Sequence, residues 1–196
     1  MDVLLSAVIA YLLGSISFSF VITKLLLKDD IRKHGSGNAG ATNTLRVLGT
    51  GPAVAVLLLD VLKGVVAVWI AAWLGNGDWA LAIAGLMAIV GHNWPVFFGF
   101  RGGKGVATTI GVFATLFFLP SIYAGILAIL LIAFTRYVSL GSLLFVIAAP
   151  IFTLFIGSYS LSYFYIGLVI AILSYWRHRT NITRLANGTE NKLGKR

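Results

Sequence analysis

The chain contains no cysteine. That excludes disulfides, thiolate nucleophiles and Cys-ligated zinc. Acid is also scarce: six Asp and Glu stand against 15 Lys and Arg, for a net charge of +9. Divalent cations want several oxygen ligands, and few are on offer. Charged residues of both signs make up only 11% of the 196 residues, against about 25% in an ordinary soluble domain. The start, Met1-Asp2-Val3, lacks the positive n-region of a cleaved signal peptide, so the first apolar block reads as a retained span.

What the chain has in place of charge is apolar length. Hydrophobic residues make up 59% of it, and they come as long blocks. A membrane helix needs about 20 mostly apolar residues. The blocks predict an all-α integral membrane protein forming one membrane-embedded domain over residues 1–196. Seven spans are expected: Val3 to Leu26, Pro52 to Leu74, Trp79 to Phe98, Val106 to Phe118, Ser121 to Phe134, Val138 to Ile156 and Leu161 to Trp176. The run from Val106 to Thr135 would reach about 45 Å as one helix, too long for a core of about 30 Å. It is therefore divided near Pro120.

Charge orients the spans. Lys28, Arg32, Lys33 and Arg46 follow span 1; Arg101 and Lys104 follow span 3; Arg136 follows span 5. Arg177, Arg179, Arg184, Lys192, Lys195 and Arg196 follow span 7. The alternate loops, Gly75 to Asp78, around Pro120, and Gly157 to Ser160, carry no Lys or Arg. Positive loops stay cytoplasmic, so the N-terminus is expected outside and the C-terminus inside.

The polar residues concentrate in three segments. The first, "HGSGNAGATN" from His34 to Asn43, contains a literal G-x-G-x-x-G. A dinucleotide-binding loop needs a preceding strand and an acidic residue about 20 positions on, on a second strand. Here a membrane helix precedes Gly35, and Asp60 falls inside an apolar span, so that reading is rejected. Glycine-rich backbone can still gather N–H groups around an anion without any particular fold. Ser36, Asn38, Thr42 and Asn43 add neutral donors, and Arg46 adds a planar fork suited to phosphate. The bland alternative is a polar linker.

The second segment runs "GHNWPVFFGFRGGKGVATT" from Gly91 to Thr109. It is not a Walker loop, because Gly rather than Ser or Thr follows Lys104 and the glycine spacing is one short. It reads as a second glycine nest with Arg101 and Lys104 at the start of span 4. His92 is either structural or functional, and Trp94 reads as an interfacial anchor. The third segment holds His178 and Asn181, on one helical face at i, i+3, then Gly188 and Glu190. Its arginines also fit a basic tail against anionic lipid. Asp60 and Lys63 lie one turn apart in span 2 and read as a self-neutralising buried pair.

A site rich in Arg, Lys, His, Asn, Ser and Gly and poor in carboxylates binds anions. Beside a lipid-accessible bundle, it points to a reaction joining an apolar chain to a phosphorylated head group.

Gly35-Ser36-Gly37-Asn38-x-Gly40-x-Thr42-Asn43-x-x-Arg46, then Gly91-His92-x-x-Pro95 leading into Gly102-Gly103-Lys104-Gly105, then His178-x-x-Asn181 with Gly188-x-Glu190, closely resemble the bacterial membrane glycerol-3-phosphate acyltransferases that use acyl phosphate, the PlsY family. The resemblance covers nearly the whole chain. It implies transfer of a fatty acyl chain from acyl phosphate to the sn-1 hydroxyl of glycerol 3-phosphate. The products would be lysophosphatidic acid and phosphate, the first acylation of phospholipid synthesis. It also implies a multi-pass protein of the bacterial cytoplasmic (inner) membrane with a cytoplasm-facing site. A functional link to a soluble acyl-phosphate-forming enzyme is implied as well. No cofactor, no metal and no nucleic acid are expected.

The chain lacks the His-x-x-x-x-Asp base of acyl-CoA-type glycerolipid acyltransferases: Ala39, Phe97 and Thr183 stand five residues after the three histidines. It also lacks a Gly-x-Ser-x-Gly elbow. Acyl phosphate carries its own leaving group and proton acceptor, so direct transfer without an acyl-enzyme is expected. Ser36, Arg46, Lys104, His178 and Asn181 are assigned to glycerol 3-phosphate. Thr42, Asn43 and the backbone of Gly40, Gly102 and Gly103 are assigned to acyl phosphate. Gly37, Asn38, His92 and Arg101 complete the expected substrate-binding set. The rival from another class is a transporter of phosphorylated metabolites, which the one-sided placement of the glycine loops disfavours. An acyl-CoA donor is a third possibility.

Overall fold

The computed structural model describes residues 2–75 and 77–194. Lys195 and Arg196 of the expected basic tail, and Asn76 of the expected Gly75 to Asp78 loop, lie outside the described residues. Regular structure among the described residues is helical throughout. Two compact units divide the chain, Met1–Thr115 and Leu116–Arg196.

In the first unit α1 (Asp2–Gly14) and α2 (Phe18–Leu27) share one apolar run, then α3 (Ala41–Leu48), α4 (Thr50–Trp73), α5 (Asp78–Asn93) and α6 (Val106–Leu116) follow. The first expected span is therefore broken. Ser15 Oγ bonds back to the Tyr11 carbonyl at 2.8 Å, a competition with the backbone ladder typical of serine, and Ser17 is extended ahead of α2. Close approach of backbones then locks α1 onto α5. A Cβ at Gly14 would strike the Ala88 carbonyl, and one at Gly91 would strike the Tyr11 carbonyl and Ser15 N. The same device joins α4 to α6 from both sides: Gly64 lies on the Thr108 carbonyl and Gly111 on the Val61 carbonyl. Small residues permit such packing where lipid supplies no hydrophobic drive between helices.

The second unit contains α7 (Phe118–Thr135), α8 (Val138–Phe152), α9 (Leu161–Arg177) and α10 (Arg179–Ala186). The expected loop around Pro120 is displaced. The helix breaks at Phe117, and Pro120 sits inside the first turn of α7, where a missing N–H costs no intrahelical bond. Likewise α8 stops at Phe152, short of the expected Ile156, just after Pro150. Gly167 of α9 packs against the ring of that proline.

Four helical stretches are long and apolar enough to cross a membrane: Val3–Leu27, Thr50–Trp73, Asp78–Phe98 and Phe118–Thr135. Three shorter apolar helices, Val106–Leu116, Val138–Phe152 and Leu161–Arg177, accompany them. All seven apolar blocks expected from the sequence are thus helical.

Candidate active site

The first glycine-rich loop joins α2 to α3, and its two carboxylates are used within it. Asp30 caps the 3₁₀ turn Ile31–Lys33 by accepting from Arg32 N at 2.9 Å, and also accepts from Arg32 Nε at 2.9 Å and Nη2 at 2.7 Å. Those guanidinium bonds hold the Asp30 carboxyl below its ordinary value. Asp29 accepts from the backbone N–H of Asp30, from His34 Nε2 and from Lys33, and lies well below the usual carboxylate range in consequence. Among the described residues Arg46 and Arg101 are exposed and form no ion pair.

Asn43, fully buried in α3, organises this loop. Its Oδ1 accepts from Ser36 N at 2.8 Å, and its Nδ2 donates to the carbonyls of His34 at 3.0 Å and Ile31 at 3.4 Å. Both amide protons are engaged by the chain's own backbone. Gly35 takes φ +57° and a Cβ there would collide with Asn43 Oδ1, so the glycine is needed on both counts. The Ser36 side chain stands exposed at the tip, Asn38 and Thr42 are half-buried, and Gly37 adopts φ +72°.

The second loop, from Asn93 to Val106, folds back on the end of α5. Gly102 N donates to the Asn93 carbonyl at 3.2 Å and Gly103 N to the His92 carbonyl at 3.1 Å. Gly40 N donates to the Asn38 carbonyl at 3.1 Å. The N–H groups of Gly40, Gly102 and Gly103, expected in an anion cradle, thus each have a backbone acceptor in this structure. What these glycines provide is close approach. A Cβ on Gly103 would meet the His92 ring and stand 2.5 Å from the Ala39 carbonyl; one on Gly102 would meet the His92 carbonyl and Pro95 Cδ. The two glycine-rich loops therefore touch at Ala39 and Gly103. Arg32 ties them a second time, donating through Nη1 to the carbonyls of Phe98 at 2.7 Å and Arg101 at 3.2 Å. Lys104, half-buried, follows directly on the Gly103 contact.

His92 is 6% exposed and sits beneath this junction. Its Nδ1 lies 2.9 Å from Lys63 Nζ and 3.6 Å from Asp60 Oδ1. Lys63 and Asp60 are themselves 2.8 Å apart, the expected buried pair, but with His92 as an unexpected third member.

In the second unit His178 stands where α9 gives way to α10, and both it and Asn181 are buried, as their i, i+3 spacing allows. A carbonyl only accepts, so the 2.8 Å contact with the Ser174 carbonyl places a proton on His178 Nδ1. In the neutral ring Nε2 is then the acceptor. Asn181 Nδ2 donates to Glu190 Oε1 at 2.6 Å, Ser139 Oγ donates to the same oxygen at 2.9 Å, and Arg184 Nε donates to Oε2 at 2.7 Å. Burial pushes the Glu190 carboxyl up, but the bonds from Arg184, Asn181 and Ser139 outweigh it and leave it below its ordinary value. Beyond Glu190, Leu193 exchanges bonds with Arg136, N to O at 2.7 Å and O to Nε at 3.0 Å.

Sequence reasoning missed the Arg32 tie, the Ser139 contact and the reach of Lys63 to His92. The Asp30-x-Arg32 spacing was the one local signal for the first; the others join distant positions.

A family model described as glycerol-3-phosphate acyltransferase matches residues 4–188. A glycerol-3-phosphate acyltransferase of Shouchella clausii is 64% identical over 95% of this chain and 93% of its own length. That of Halalkalibacterium halodurans is 60% identical over the same shares. The crystal structure of PlsY (YgiH), an integral membrane glycerol 3-phosphate acyltransferase, in its glycerol 3-phosphate form, superposes with a TM-score of 0.92 at 41% identity. The match covers 99% of this chain and 96% of that one. Its lysophosphatidic acid form gives 0.90 with the same identity and coverage. The chain belongs to the PlsY family of integral membrane glycerol-3-phosphate acyltransferases.

Proposed function

We propose that this chain transfers an acyl group from acyl phosphate directly to the sn-1 hydroxyl of glycerol 3-phosphate. The hydroxyl oxygen bonds to the acyl carbon, the bond from that carbon to the phosphate oxygen breaks, and the departing phosphate takes the hydroxyl proton. Lysophosphatidic acid and inorganic phosphate result. The protein's contribution is positioning and charge stabilisation, with no acyl-enzyme.

The observation that carries this reading is the contact of the two glycine-rich loops at Ala39 and Gly103. It gathers the segments bearing Ser36, Asn38 and Arg46 and those bearing Arg101 and Lys104, while Asp29 and Asp30 are occupied by Lys33, His34 and Arg32. The result is a net positive surface suited to two phosphorylated substrates. Arg46 and Lys104 bind the glycerol 3-phosphate phosphate, Ser36 donates to the same substrate, and Arg101, Asn38 and Thr42 face acyl phosphate. Asn43, Gly37, Gly40, Gly102 and Gly103 shape the loops. His178 and Asn181 keep the glycerol 3-phosphate role that the family resemblance implies, with His178 a binder rather than a base. The chain crosses the bacterial cytoplasmic membrane seven times with the basic loops, and hence the site, on the cytoplasmic face. A soluble enzyme that forms acyl phosphate supplies the donor.

The test is the purified protein in detergent, given acyl phosphate, acyl-CoA and acyl carrier protein thioester in parallel. Lysophosphatidate from acyl phosphate alone is expected. Product from a thioester at equal rate would overturn the donor assignment, and no product from any donor would favour a transporter.

A further inference from the structure

α1 ends at Gly14 and α2 begins only at Phe18. Breaking a helix inside an apolar run frees carbonyls that lipid cannot satisfy. Lys63 answers this from α4. Its Nζ donates to the Ile16 carbonyl at 2.8 Å and to the Gly14 carbonyl at 3.0 Å. The same ammonium reaches His92 Nδ1 at 2.9 Å and Asp60 Oδ1 at 2.8 Å, and Lys63 is only 5% exposed. An ammonium has protons to give and no lone pair, so His92 Nδ1 accepts and the neutral ring carries its proton on Nε2. That nitrogen lies against Gly103, where a Cβ would overlap it. The His92 and Asn93 carbonyls meanwhile accept from Gly103 N and Gly102 N. An unbroken series of contacts thus runs from the broken helix through Lys63 and His92 to the Gly102-Gly103 turn that precedes Lys104.

We propose that Lys63, with its charge held by Asp60, is a positioning residue for the acyl transfer. It orients His92 and through it the turn that presents Lys104 to the glycerol 3-phosphate phosphate. A buried ion pair is weak evidence of stability on its own, because desolvation offsets attraction. An isolated pair would also need no third partner. Lys63 instead spends its three donors on the two carbonyls of the helix break and on one particular histidine nitrogen, which sets that ring's tautomer as hydrogen-bonded second partners do for functional histidines. The inference rests on the reading of Lys104 as a phosphate ligand.

The test is the double variant Lys63→Met with Asp60→Asn in the full-length protein. Removing both charges together avoids leaving one buried and alone. The folded double variant should show a KM for glycerol 3-phosphate raised about tenfold or more, as misplacement of a positioned group produces, with the KM for acyl phosphate little changed. In ¹⁵N-histidine spectra the wild-type His92 ring should report Nδ1 as the unprotonated nitrogen, and the double variant should lose that single tautomer. Unchanged KM in a folded double variant, or a wild-type His92 protonated at Nδ1, would overturn the proposal. Should the double variant not fold, the wild-type spectra still decide, because a His92 ring protonated at Nδ1 overturns the proposal by itself. Lys104→Ala separates the two readings. If it leaves the glycerol 3-phosphate KM unchanged, the Lys104 assignment fails; if it raises that KM while the double variant does not, only the Lys63 inference fails.

Discussion

Arg32 Nη1 donates to the Phe98 carbonyl at 2.7 Å across 66 positions of sequence. The same guanidinium is held by both oxygens of Asp30 and lies 5.1 Å from the Phe20 ring centroid. One side chain therefore fixes the distance between the two glycine-rich loops. Arg32→Lys keeps the charge but cannot reproduce a three-way fork. It should cost about 1–2 kcal/mol of stability, after allowance for partial exposure, and raise both substrate KM values. Thermal unfolding and steady-state kinetics check this; a variant with wild-type KM values would show that the loops do not need the tie.

Gly103→Ala and Gly188→Ala provide a matched pair. Both add one methyl. At Gly103 it meets the His92 ring and the Ala39 carbonyl; at Gly188, despite φ +69°, it meets nothing. Gly188→Ala should cost only the left-handed penalty of about 1–2 kcal/mol and leave kcat/KM near wild type. Gly103→Ala must separate the loops and should reduce kcat/KM by about a hundredfold or more. Equal losses in the two variants would refute the close-approach argument.

Asn43→Ala should act on stability before binding. It leaves Ser36 N without its acceptor, at about 1–3 kcal/mol, and takes one of two donors from the Ile31 and His34 carbonyls, which keep the N–H groups of His34 and Gly37. Melting temperature and activity should fall together. A variant as stable as wild type but with a raised acyl phosphate KM would restore the direct donor role expected from the sequence.

Glu190 predicts an acid limb in stability. Its carboxyl lies below its ordinary value in the folded protein, held there by the bonds from Arg184, Asn181 and Ser139. Its charged form therefore stabilises the fold above the unfolded pKa, and that contribution is lost as pH falls from about 4.5 toward the lower folded value. Glu190→Gln should lower stability by about 2 kcal/mol at neutral pH, the scale of hydrogen bonds to a charged group. The gap to wild type should narrow below about pH 4.5. Melting curves over that range give the answer; a gap that stays constant with pH would show that shape rather than charge matters at this position.

Ser36 tests the chemistry. Its side chain is exposed at the loop tip, and direct transfer predicts no covalent intermediate. Incubation with acyl phosphate alone, followed by intact-mass measurement, should find unmodified protein. Ser36→Ala should raise the glycerol 3-phosphate KM and retain measurable kcat. An acylated Ser36 would replace the direct mechanism with a two-step one.

The helical membrane architecture was legible in the sequence because its causes are local. A run of apolar residues long enough to cross hydrocarbon must satisfy its own backbone, and Thr50–Trp73 and Phe118–Thr135 need no distant partner to be helical. The polar motifs were legible for the same reason: Ser36, Arg46, Lys104 and His178 stand out against an apolar chain. Turn chemistry was misread only in detail. Pro120 looked like a boundary, yet a first-turn proline fits a helix, and the break fell at Phe117. What no stretch of sequence carried was the use of each donor. The N–H groups of Gly102 and Gly103 seemed available to an anion until the fold turned them onto the Asn93 and His92 carbonyls. Lys63 and Asp60 looked self-sufficient until α4, the broken first helix and α5 brought His92, 29 positions away, to the same ammonium. A hydrogen bond needs its partners within about 3 Å and in line, and between helices that condition is set by packing, through contacts such as Gly14 on Ala88 and Gly64 on Thr108. Composition and local pattern determined that this chain is a helical membrane protein with polar, glycine-rich loops; tertiary structure alone decided which atoms hold those loops together, because that depends on residues the chain order keeps apart.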